Sequence, residues 1–209
     1  MLSLKSYLKN PCGTSSIPYW KQKKTVIPEN MKIIHEKDYV NRDFNDYNDE
    51  PYFRLYHNMK DIEHEAVNEV EILSGISDIN EFVQLINASY SDLSVTAEQL
   101  EDYKKTPVFC SELWILLKEK SSGRVVAGGI ADYDRECGEL ILEWIQVIPT
   151  FRGQGYGKTV VNSLLSKMKG IAEFATVSGK VNNAANPEGL YKRCGFTGDD
   201  VWHILTKKG

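Results

Sequence analysis

Between Arg152 and Thr159 the sequence reads RGQGYGKT, with glycines at every second position and a Lys-Thr pair directly behind them. Glycine gives a turn access to positive φ and removes the Cβ that would hold a ligand away. The run therefore reads as a loop whose amides face an anion, with phosphate the first suspect. Two further residue types could work beside such a loop. In GELILEWIQVIP, Ile141, Glu143, Ile145 and Val147 share one strand face by alternation, which makes Glu143 the sole acid among aliphatics. Desolvation of such a carboxylate is expected to raise its pKa toward the strength of a useful base at neutral pH. In GLYKRCGF, Tyr191 carries a phenol that can donate a proton without being charged beforehand. Glu139, Asp132 and Asp134 are weaker base candidates. His203, between Val201 and Leu205 on one strand face, reads as a hydrogen-bonded structural histidine, and Cys194 as core. His57 and His64 lack metal-ligand spacing, and the acidic run Asp43, Asp46, Asp49, Glu50 reads as solvated loop charge.

Spacing separates three kinds of phosphate loop, all of which set anionic oxygens on amides at a helix N-terminus. The nucleotide P-loop needs G-x-x-x-x-G-K-S/T. Gly157-Lys158-Thr159 supplies its end, but Arg152 stands where the first glycine belongs. The dinucleotide fingerprint G-x-G-x-x-G fits Gly153 and Gly155 and then meets Lys158. The pattern the residues do fit is Q/R-x-x-G-x-G/A, read from Arg152 to Gly157 directly after VIP.

The surrounding elements follow from periodicity. VEIL is a short strand; Ile79, Phe82, Val83, Ile86 and Tyr90 then recur at helical spacing behind Asp78, with Glu81 placed for a capping box. A second helix starts at Thr96, with Gln99 three residues on, and stops before Pro107. ELWILLKEKSSGRVVAGGIADY reads as a hairpin turning at Ser121-Ser122-Gly123, and GELILEWIQVIP as a central strand running into the glycines. Val160, Val161, Leu164, Leu165 and Met168 mark one face of a helix beginning near Gly157. EFATVSGKV is β-rich, NPEGLYKRCGF holds a two-turn helix with Asn186 as cap, Pro187 first and Gly195 at its stop, and DVWHILTK is a final strand. Ahead of all this, residues 1–66 form an N-terminal extension with a turn-rich NPCGTSSIPYWK, a strand MKIIHE and a strand YFRLYHNM, the two strands pairing as a hairpin-like arm. Its aromatic residues predict that it packs on the core, which occupies residues 67–209.

Composition excludes several classes. A formal charge of −4 without a basic stripe argues against nucleic-acid binding. The first residues lack the apolar stretch of a signal peptide, and no run of about eighteen apolar residues could span a bilayer, so a cytoplasmic protein without a membrane partner is expected. Four cysteines without C-x-x-C pairing predict reduced thiols and no zinc site.

The pieces IQVIPTFRGQGYGK and GLYKRCGF, in this order of elements, make the chain resemble the GNAT superfamily of acyl-CoA-dependent N-acetyltransferases from about Val67 to Lys208. The resemblance implies an α/β fold of the α+β type: a central mixed, mostly antiparallel, twisted sheet flanked by helices. It implies that acetyl-CoA is the acyl donor and that no metal is needed. The CoA pyrophosphate would lie on the amides of Gly153, Gln154, Gly155, Tyr156, Gly157 and Lys158 behind Arg152, and the pantetheine would pair with backbone groups of Ile145, Gln146 and Val147. It also implies that Tyr191 protonates the departing thiolate and that Glu143 serves as base toward a small-molecule or peptide amine. Many members carry a CoA-contacting asparagine seven residues before that tyrosine; here the position is Ala184, with Asn182, Asn183 and Asn186 nearby, of which Asn186 is the candidate ligand. A monomer or homodimer is expected. The competing readings are an acyl-CoA-binding sensor on the same fold, which would not need Tyr191, and an ATP-binding protein, which Arg152 disfavours.

Overall fold

The computed structural model describes residues 2–62, 68–76, 78–90 and 93–209; His64 and the expected boundary at Val67 lie outside the described residues. In chain order the elements are α1 (Leu4–Lys9), α2 (Pro11–Thr14), α3 (Tyr19–Gln22), β1 (Met31–His35), β2 (Tyr47–His57), β3 (Val70–Ser74), α4 (Ile79–Ser89) and α5 (Ala97–Tyr103). They continue with β4 (Trp114–Glu119), β5 (Val125–Asp134), β6 (Glu139–Val147), α6 (Tyr156–Lys167), β7 (Phe174–Lys180), α7 (Pro187–Arg193) and β8 (Thr197–Lys207). The fold is mixed α/β with antiparallel ladders and flanking helices, as the resemblance implies. It divides into two compact units, Met59–Ala175 and Met1–Asn58 with Thr176–Gly209.

In the unit Met59–Ala175 the strand order is β6-β5-β4-β3. Two adjacent glycines let helices close on both faces of β5. A Cβ at Gly128 would lie 2.7 Å from Leu85 of α4, and one at Gly129 would lie 2.7 Å from Val160 of α6. The expected apolar face of α6 is the one buried: Val160, Val161, Leu164 and Leu165 are fully enclosed. On the α4 side Phe82, Leu85 and Ile86 pack with Leu100 of α5 and with Trp114, Leu116 and Ile130. Thr96 and Gln99 form the expected capping box, but Asp78 caps its helix through the amide of Asn80 without help from Glu81. Glu81 pairs instead with Lys118 at 2.6 Å, a half-buried cation whose attraction outweighs a cap contact.

The other unit corrects the expected hairpin arm. β1 and β2 do not pair with each other; both pair antiparallel with β8, which lies between them in the order β1-β8-β2-β7. The long connection from His35 to Tyr47 leaves room for a third strand, and β8 supplies apolar residues to both neighbours. The acidic run is correspondingly not all loop. Asp49 and Glu50 belong to β2, where Asp49 meets His203 at 2.8 Å and Glu50 meets Lys180 at 2.8 Å. His203 is the structural histidine expected, held also by Glu36 at 2.5 Å and stacked on Tyr39. The segment read as turn-rich contains α2 and most of α3, and α1 precedes it. Asn10 caps α2 through Gly13 with Pro11 in the first turn, a start signal masked by the proline and glycine that surround it. Tyr7 is fully buried and accepts a 2.8 Å hydrogen bond from the equally buried Arg54, whose guanidinium also reaches Thr176.

Candidate functional site

The glycine loop lies within Met59–Ala175 and begins where β6 ends. Ile148 hydrogen-bonds back to Val126, and a single turn, Pro149–Phe151, reverses the chain. Gly153 and Gly155 follow with φ of +80° and +87°, values that a residue bearing a Cβ adopts only at a cost. Gly155 is the N-cap of α6, and the Thr159 amide bonds to the Gly155 carbonyl at 3.1 Å. The amides before it belong to the turn in which a helix has no internal acceptor. Among the described residues, a Cβ at either glycine would have no atom within 4 Å beyond its chain neighbours, so the ground above the loop is open there. Tyr156 is buried and anchors the helix start beside Phe151. A helix N-terminus, with glycines that keep side chains away from the approach, is an arrangement that can receive a phosphate or pyrophosphate.

β6 leads into this loop with one irregularity. Ile130 pairs with Trp144, but its neighbour Ala131 pairs with Leu142, so Glu143 is an extra residue in the ladder. Such a bulge re-aims side chains and disrupts the ladder locally. It also overturns the uninterrupted alternation from Ile141 to Val147 on which Glu143 was placed among aliphatics, because a bulge breaks period 2. Glu143 is half-buried, flanked by buried Leu142 and partly exposed Trp144. Beyond the bulge Ile145 faces α6, touching the ground above Gly129, while Trp144 packs with the α4 cluster. Gln146 is enclosed, and neither atom of its side-chain amide has a hydrogen-bond partner among the described residues. Glu139 and Asp132 are fully buried. Asp134 accepts from the Glu136 amide and from the Cys137 thiol. Burial, reinforced by the charge of Asp134, pushes the Cys137 thiol far above its usual range and keeps it unreactive.

Sequence spacing thus gathers Glu143, Ile145, Gln146, Val147 and Arg152 to Lys158 onto one strand–loop–helix segment. Tyr191 and Asn186 stand in the other unit, on α7 and at its start. The Asn186 carboxamide oxygen accepts from the Gly189 amide, which defines the helix start, and Asn183 closes a turn on Ala185. Tyr191 is buried, with its ring against Phe53 and Phe196 at 6.2 and 5.8 Å. A side chain at position 179 would strike the Phe53 ring, so Gly179 admits that ring to the sheet.

Tyr90 escaped the sequence reading as anything but a helix-face residue. Its hydroxyl donates to the Ile145 carbonyl at 3.4 Å and its ring stands edge-on to Trp144, whose indole donates to Tyr103. No group of three or more His, Cys, Asp or Glu side chains among the described residues is arranged to hold a metal ion, and no helix there is long and apolar enough to cross a membrane.

Residues 110–198 match the family model described as an acetyltransferase (GNAT) domain. No curated protein sequence matches significantly. Among solved structures the chain is similar to a GCN5-related N-acetyltransferase from Sphaerobacter thermophilus, at 15% identity and TM-score 0.64, covering 77% of this chain and 52% of that one. A GNAT-family acetyltransferase from Colwellia psychrerythraea gives 19% identity and TM-score 0.63 over 90% of this chain and 69% of that one. A conserved protein of unknown function from Staphylococcus epidermidis gives 11% and 0.60 over 100% of this chain and 82% of that one. The chain thus spans about half the length of the first of these relatives. At these identities the likeness is one of fold.

Proposed function

On the match of residues 110–198 to an acetyltransferase (GNAT) domain, we propose that the chain moves an acetyl group from acetyl-CoA to an amine. The observation that carries this reading is the loop Gly153–Lys158, with two positive-φ glycines, open space over both among the described residues, and a helix N-terminus behind them. That is a binding site for the donor's pyrophosphate. Residues 67–209 would form the catalytic domain and 1–66 an extension to it.

The reaction requires a neutral amine, a polarised thioester carbonyl and a protonated leaving group. Backbone groups of Ile145 to Val147 would hold the pantetheine arm in extended form, and backbone amides would polarise the thioester carbonyl as the amine attacks directly. Glu143 would accept the proton of the amine, directly or through water, and Tyr191 would donate one to the departing sulfur. Tyr191 is also the residue on which a second reading turns. Its ring is packed between Phe53 and Phe196, and a purely structural tyrosine would suit a sensor that binds acyl-CoA without turning it over. The acceptor would be a small-molecule or peptide amine.

A panel of primary amines, offered with acetyl-CoA while free thiol is followed, tests the proposal. Acceptor-dependent thiol release that stoichiometrically matches acetylated amine supports it. Tight acetyl-CoA binding with no turnover on any amine class leaves the sensor.

A further inference from the structure

Arg152 opens the glycine motif, yet its guanidinium turns back to the protein. Its Nη2 donates to the Ser89 carbonyl at 2.8 Å and its Nε to the Val147 carbonyl at 3.3 Å. Ser89 is the last residue of α4, where carbonyls lack donor partners within the helix and a cation is favoured by the dipole. One residue on, the Tyr90 hydroxyl donates to the Ile145 carbonyl. The end of α4 is therefore tied to both sides of the loop's root: by Tyr90 to the donor strand, and by Arg152 to the residue just before the glycines. The tie extends further along the chain. Asn87 clasps Val95 through both its amide groups, at 2.7 and 3.0 Å, and so couples the end of α4 to the start of α5.

We propose that Arg152 is a positioning residue, a brace that holds the glycine loop and the α4–α5 segment as one body, and that Tyr90 is its second fastening. Occupation of the loop amides by an anion and the placement of α4–α5 then become coupled: ordering either one reduces the cost of ordering the other. The functional consequence rests on the acetyl-transfer reading, extended here by placing the amine acceptor against the α4–α5 segment. Donor binding would then prepare the protein for the amine. A lysine could not replace the arginine, because a single ammonium lacks the fork that reaches two carbonyls in different directions.

Amide hydrogen exchange on the full-length protein tests the brace without requiring activity. In Arg152→Ala the amides at the C-terminal end of α4 should exchange about tenfold faster than in wild type, as expected on losing a charge-assisted bond. Millimolar guanidinium should restore part of the protection. Tyr90→Phe should give a smaller increase in the same peptide. CoA should slow exchange at the end of α4 in wild type and not in Arg152→Ala. Unchanged exchange there in a folded Arg152→Ala overturns the proposal, whether or not any amine is acetylated. Kinetics with S-acetylpantetheine, which has the thioester but no phosphates, separates a brace from a phosphate ligand. The brace predicts that Arg152→Ala raises KM for the amine severalfold even with this donor; a phosphate ligand predicts no change. Absence of turnover with either donor would count against acetyl transfer and leave the exchange result to judge the brace.

Discussion

Replacing Gly155 by alanine separates two costs that the loop imposes. The backbone there sits at φ +87°, where an L-residue costs about 1–2 kcal/mol relative to glycine. Among the described residues the added methyl would meet no atom within 4 Å beyond its chain neighbours, so no packing penalty joins that strain. For a chain of this size the strain alone corresponds to a fall in Tm of about 2–8 °C. The same open space is where the pyrophosphate would sit, and a methyl group there should raise the Kd for CoA at least about tenfold, or ~1.4 kcal/mol. Scanning calorimetry reads the first effect and titration calorimetry the second. Gly129→Ala is the control: its methyl would lie 2.7 Å from Val160 and 3.0 Å from Leu164, so overpacking should cost about 1–3 kcal/mol of stability with less effect on CoA. A folded Gly155→Ala protein that binds CoA as wild type does would refute the assignment of the loop.

Tyr191→Phe should lower kcat by about 10²–10⁴-fold with little change in CoA affinity, the range for a lost general acid, whereas a ring that only packs against Phe53 and Phe196 predicts near-normal turnover. Glu143→Gln should abolish, rather than displace, the acidic limb of the kcat/KM profile, because an amide of the same shape accepts no proton; an unchanged limb would move the base elsewhere. Tyr7→Phe deprives buried Arg54 of one charge-assisted bond and should lower stability by about 1.5–3 kcal/mol, visible as a lower midpoint in urea. With a thiol reagent at neutral pH, Cys137 should stay unlabelled in the native protein while half-buried Cys110 reacts; rapid labelling of Cys137 would contradict its enclosure beside Asp134.

The parts of this molecule that were legible beforehand are those written locally. The glycine loop is legible because its residues are selected by backbone geometry at their own positions, and α6 because its buried face repeats at helical spacing. Thr96 with Gln99, and Asn186 with Pro187, announce their helices for the same reason. What depends on distant pairing was not legible. The placement of β8 between β1 and β2 is decided by strands more than a hundred residues apart in sequence, and nothing in MKIIHE or YFRLYHNM names the partner. The bulge at Glu143 is a mismatch between two strands and leaves no mark in either alone. The Arg152 brace was hidden for a related reason: the motif assigns the residue to the loop, while its partners are carbonyls, which carry no sequence identity.

Titration calorimetry with CoA, ATP plus magnesium, and NAD bears most directly on the central claim, that the loop from Gly153 to Lys158 is a donor cradle for acyl-CoA. The account predicts saturable binding of CoA and acetyl-CoA, weakened by Gly155→Ala, and no detectable binding of ATP or NAD. Absence of CoA binding by the folded protein, or tight binding of ATP with magnesium, would contradict it.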